Sequence, residues 1–134
     1  VDAPAYRSRI LSQLQDCHGG GSPEDYQTMY EASMVRDEGM AKTLAAAMKQ
    51  LRVEASSGQG PLLSYTGGGH VQYRLPVPAR VARRAPEGLK QGTVYMATFE
   101  RERAAELHQA MQEGIADYVW LTPQGAQGPP RRCR

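Results

Sequence analysis

At 134 residues, with a formal net charge of +2 and 40% hydrophobic residues, the chain is long enough to bury a core as one domain and too balanced in charge to imply nucleic acid by charge alone. No apolar run approaches the roughly 18 residues of a spanning helix, and no basic-then-apolar leader argues for secretion, so the expectation is a cytoplasmic chain without a membrane partner. Two cysteines, Cys17 and Cys133, make no disulfide scaffold and fit free thiols in a reducing compartment.

Residues 3–17 carry Tyr6, Ile10, Leu14 and Cys17 at spacings of four and three, which predicts a helix with one apolar stripe. Gly19, Gly20 and Gly21 end it. Ser22 then offers an N-cap, Pro23 fills the first helical position, and Asp25 stands where a capping box needs its acid. A second helix follows, with Tyr26, Met29, Tyr30 and Ser33 on one face. Arg36-Asp37-Glu38-Gly39 reads as a turn; an unbroken helix through it is the alternative. A third helix runs from about Met40 to Arg52. Met40, Leu44, Met48 and Leu51 form its buried stripe, and Lys42 and Lys49 fall roughly opposite, with Arg52 nearby. An alanine-rich helix with a solvated basic face has the same pattern.

Residues 56–61 are loop by composition. LLSYTGGGHVQYRL, residues 62–75, alternates like two strands around a glycine tip, with the glycines expected to supply positive φ. Residues 79–92 are basic and read as loop. Residues 93–99 have strand composition, 100–113 a charged helix with Ala104, Leu107 and Met111 inward, and 117–121 a last strand. The residues from Pro123 onward read as a mobile tail.

Three helices followed by a hairpin, with Met40–Arg52 as recognition helix and residues 62–75 as wing, resemble winged helix-turn-helix DNA-binding domains over about residues 3–76. The resemblance implies an α+β fold: a three-helix winged-helix-like domain with a β-hairpin wing at 1–78, a strand-helix-strand extension at 79–122 and a flexible tail at 123–134. It also implies a small transcriptional regulator that binds double-stranded DNA. Lys42, Lys49 and Arg52 would contact DNA from the helix, and His70 and Arg74 from the wing. Local charge extends that surface: residues 61–99 hold five Lys/Arg against the single acid Glu87, which adds Arg80, Arg83 and Arg84 as phosphate contacts. Asp37 and Glu38 depart from the pattern and would cap the helix instead.

Few cations per copy argue for a homodimer, with 93–121 and its Tyr95, Phe99, Tyr118 and Trp120 as the contact; a place in the core is the other reading of those aromatics. The rival function is a protein-binding inhibitor or adaptor that uses the same surface. No catalytic constellation is legible. His18, His70 and His108 lack metal-ligand spacing, so no metal, no cofactor and no enzymatic activity are expected.

Overall fold

The computed structural model describes residues 4–54, 61–85, 89–126 and 128, with residues 52–54 described by backbone alone. The Arg52 side chain, most of the 56–61 loop, part of the basic stretch, and residues 127 and 129–134 of the tail, Cys133 included, lie outside the described residues.

Helix α1 spans Pro4–Cys17 and buries Tyr6 and Ile10, two members of the expected stripe. The glycine run stops it, and Gly20 takes φ 92°, a conformation open to glycine at no steric cost. Helix α2 opens as its sequence dictates. The Asp25 amide donates to Ser22 Oγ at 3.2 Å while the Ser22 amide donates to Asp25 Oδ2 at 2.9 Å. This reciprocal pair satisfies two amides that the first turn would otherwise leave unpaired. The Tyr26 hydroxyl closes the α1–α2 turn by donating to the His18 carbonyl at 2.7 Å.

Here the structure corrects the expectation. The second and third helices are one, α2, running unbroken over Pro23–Glu54 for 32 residues, or about 48 Å at the usual rise. A glycine inside a helix costs about 1 kcal/mol against alanine. Packing at both ends of α2 outweighs that cost at Gly39. In its first half α2 meets α1 in a cluster of Tyr6, Ile10 and Tyr30, with Leu11, Leu14, Met34 and Leu75 against it. In its second half Ala41 packs with Val77 and Val81, flanked by Met40, Leu44, Met48 and Leu89. Asp37 sits between the two clusters.

No strand forms over residues 61–76, so the expected hairpin wing is absent. Residues 61–67 run without secondary structure, with Leu63 and Tyr65 exposed. Two short 3₁₀ turns follow, Gly68–His70 and Gln72–Arg74. Tyr73 and Arg74 reverse the chain with φ of 54° and 59°. The positive φ expected of the three glycines therefore falls on Tyr73 and Arg74, outside the glycine run. The basic stretch expected as loop begins with helix α3, Val77–Arg84, which buries Val77, Pro78, Arg80 and Val81 against α2.

The extension follows its expected order. Strand β1 (Val94–Thr98), a 3₁₀ turn at Arg101–Arg103, helix α4 (Ala104–Gln112) and strand β2 (Tyr118–Thr122) form a β-α-β unit. The strands are parallel, with Val94 opposite Tyr118, Met96 opposite Trp120 and Thr98 opposite Thr122. The fold is α+β, with helices and one small parallel sheet. A core position for the aromatics is corrected, since Phe99, Tyr118 and Trp120 are all exposed. Tyr95 is half-buried against the glycine turn. The Tyr73 amide donates to the Ile115 carbonyl at 2.6 Å, and this bond ties the extension to the turn.

Candidate functional site

Among the described residues, a cluster of titratable groups knitted through the core centres on Asp37. Its position follows from helix geometry. Tyr30, Met34, Asp37 and Ala41 are spaced four, three and four along α2, so Asp37 lies on the buried stripe and is 1% exposed. A carboxylate held out of water needs partners. The Tyr6 hydroxyl, from α1, donates to Oδ2 at 2.6 Å. His70 Nδ1, from the first glycine-rich turn, lies 2.6 Å from Oδ1. An ionised carboxylate only accepts, so the Nδ1 that faces it acts as donor; in a neutral ring Nε2 would then be the nitrogen with the lone pair. The turn at Gly68–His70 places the ring: the His70 amide donates to the Gly67 carbonyl at 2.9 Å.

Beside the ring lies a cleft of about 240 Å³. Ile10, Leu14, Ser33 and Gly69 line it with Asp37 and His70, while the exposed Gln13, His18 and Arg36 form its rim. On the far side of Tyr6 the buried Arg80 guanidinium stacks at 4.2 Å from the ring centroid. Arg80 Nε also lies 3.3 Å from Glu38, which pairs with Arg84 as well. A second cleft, of about 270 Å³, runs between Arg7, Leu11, Tyr26 and Gln27 and holds no imidazole.

The residues expected to meet phosphate are placed as follows. Lys42 and Lys49 are exposed on α2, and Arg83 is exposed on α3. His70 is engaged with Asp37, Arg80 is 1% exposed beneath Tyr6, and Arg84 is paired with Glu38. Arg74 pairs with Asp117 at 3.1 Å and donates to the Gln91 carbonyl at 2.9 Å. The structure thus brings His70 to a site, but through Asp37 and Tyr6. Sequence reading had assigned Tyr6 to an apolar stripe and Asp37 to a helix cap. A signal was present: a lone carboxylate in phase with Tyr30, Met34 and Ala41 marks a buried charge that needs a donor.

Cys17, on the wall of the same cleft, is disulfide-bonded, and no described cysteine is free, which corrects the expectation of free thiols. Among the described residues no helix is long and apolar enough to cross a membrane, and no group of three or more His, Cys, Asp and Glu side chains could hold a metal ion.

Residues 1–81, more than half of the 134, match the family model described as "Haem-binding uptake, Tiki superfamily, ChaN". No curated protein and no solved structure matches the chain. The match overturns the winged-helix reading, and transcription regulation and a double-stranded DNA partner fall with it; the protein-binding alternative gains no support from it either. The matched span contains Tyr6, Asp37 and His70, and the chain belongs to this haem-binding uptake family of the Tiki superfamily.

Proposed function

We propose that the chain binds haem at the Asp37–His70 cleft, with His70 Nε2 as the axial donor to the iron. One observation carries the reading. His70 Nδ1 is held at 2.6 Å by a buried carboxylate, the arrangement that fixes the tautomer and orientation of a ligating imidazole and raises its basicity. Histidine is a common axial ligand of haem iron. The donor chemistry therefore fits. The cleft, at about 240 Å³, is smaller than the roughly 300–1,000 Å³ of pockets that enclose a small molecule. A macrocycle lying face-on across its mouth would meet Ile10 and Leu14 as apolar contacts and the rim guanidinium of Arg36, which suits a propionate. Haem supplies the iron and a flat apolar body; the chain supplies the donor, its orientation and a counter-charge. No catalytic role is proposed.

Haem titration followed by the Soret band tests the binding site. His70→Ala is expected to change the spectrum of the bound haem and to weaken binding by about tenfold or more, as loss of ligand-supporting groups commonly does. A spectrum and affinity identical to those of the unsubstituted chain would remove His70 as ligand.

A further inference from the structure

We propose that the β-α-β unit regulates the cleft: the turn at residues 68–74 holds the shape that lines the cleft only while the unit is docked on it, so docking and haem binding are coupled. The inference rests on the haem reading above for the identity of the ligand and adds how its site is controlled.

The turn has two sides. On one, Gly69 and His70 line the cleft, and the Gln72 side-chain amide donates to Gln13 Oε1 on the cleft rim at 3.0 Å. On the other, it carries the β-α-β unit. Gly68 lies against the Tyr95 ring of β1. The Tyr73 amide donates to the Ile115 carbonyl at 2.6 Å, and Arg74 pairs with Asp117 at 3.1 Å. Arg9 of α1 closes the joint. Its guanidinium lies 3.3 Å from the Tyr73 ring centroid and 3.4 Å from Glu113 Oε2.

Strain makes the turn responsive to the unit. Tyr73 and Arg74, with φ of 54° and 59°, both sit in the left-handed region that residues with a Cβ seldom occupy. Such a backbone persists where its surroundings over-determine it. Here the unit supplies that hold, on Tyr73 through its amide and on Arg74 through Asp117. With the unit lifted, both bonds are lost and the kink relaxes toward ordinary φ. His70 belongs to the same short run of 3₁₀ turns, so the relaxation moves the cleft wall. A ligand that fits the docked shape therefore holds the unit down, and by linkage docking favours the ligand to the same degree. Whatever lifts the unit opens the cleft.

Amide hydrogen exchange, quenched and read by NMR, tests the coupling. In the haem-free chain the His70 and Tyr73 amides should share one opening constant and open more readily than the amide of Ala41, buried in α2. Arg9→Ala loosens the joint without altering the turn or the unit. It should raise both opening constants by the same factor, about fivefold, for the loss of an exposed ion pair and a cation–π contact. Should Arg9→Ala not fold, Glu113→Gln should raise both by a smaller common factor. Haem should slow the Tyr73 amide of the unsubstituted chain by about fivefold or more. Tyr73 is not on the cleft wall, so slowing there reports docking and not cover by the ligand. Three results overturn this inference and leave haem binding standing: His70 and Tyr73 responding by different factors, both opening no more readily than Ala41, or a Tyr73 amide that haem leaves unchanged. Failure of the unsubstituted chain to bind haem overturns both readings.

Discussion

Asp37 and His70 are 33 residues apart in sequence and meet at 2.6 Å, a helix side chain against a turn side chain. The contact joins the middle of α2 to the glycine turn, so it bears on folding. Asp37→Asn keeps the shape but offers one carbonyl oxygen where two acceptors served. Either Tyr6 or His70 then faces an amide nitrogen. Losing a partner to a buried donor costs about 1–3 kcal/mol. Urea unfolding of the haem-free variant should show that loss without a change in slope, because the surface exposed on unfolding is unchanged. An unaltered midpoint would mean that the contact contributes nothing to folding.

Gly68 and Tyr95 constrain each other. A Cβ on Gly68 would stand 2.6 Å from the Tyr95 ring, whereas Gly68 is absent from the glycines with positive φ. Sequence reading gave the glycine run a conformational reason; the structure gives Gly68 a reason of space. Gly68→Ala should therefore destabilise by about 1 kcal/mol, the low end for overpacking, since a ring tip can swing aside. In a Tyr95→Ala background the same substitution should cost less, with a coupling of about 0.5 kcal/mol or more. Equal costs in both backgrounds would return the explanation to the backbone.

These two sites mark how far the sequence was readable. Ser22, Pro23 and Asp25 announced a helix start because capping is local chemistry, complete within four residues. The β-α-β order of 93–122 was legible for a similar reason: strand composition and an amphipathic helix are properties of short windows. Residues 36–39 were misread because charge and one glycine resemble a turn, while the forces that keep α2 whole come from Tyr6, Val77 and His70, far away in sequence. The 62–75 stretch alternates like a hairpin, yet alternation does not say whether a second strand is there to pair. His70 was singled out for the wrong partner, since its partnership with Asp37 exists only once α2 is continuous.

Arg74 offers a test of strain. Its φ of 59° lies in the left-handed region, which costs a residue with a Cβ roughly 1–2 kcal/mol. Its side chain returns part of that through Asp117 and the Gln91 carbonyl, and half-exposed pairs of this kind are worth about 1 kcal/mol or less. Arg74→Ala keeps the strain and loses the contacts, so it should destabilise by about 1 kcal/mol. Arg74→Gly loses the contacts and relieves the strain, and should unfold at a higher temperature than Arg74→Ala. The reverse order in thermal melts would show that the turn is not strained at this residue.

Asp117 sets the acid side of the stability profile of the extension. The Thr93 amide donates to its Oδ2 at 2.7 Å and the Thr93 hydroxyl to the same oxygen at 2.8 Å. These bonds hold the carboxyl below its ordinary range, and the nearby Arg74 charge adds to them. A carboxyl whose pKa is lower folded than unfolded stabilises the fold above the unfolded value, near 3.9 for aspartate. That contribution fades as pH falls through the folded value. Asp25, bonded to Ser22, and Glu113, bonded to Gln109 and Arg9, are lowered in the same way, so the unsubstituted chain alone cannot isolate Asp117. Comparison with Asp117→Asn does, because the other two groups cancel. The stability gap between the two chains should be constant from about pH 7 to pH 5 and should narrow below about pH 4. A gap that stays flat down to about pH 2 would mean that the Thr93 contacts do not favour the charged form, and that Asp117 closes the β1–β2 junction by shape alone.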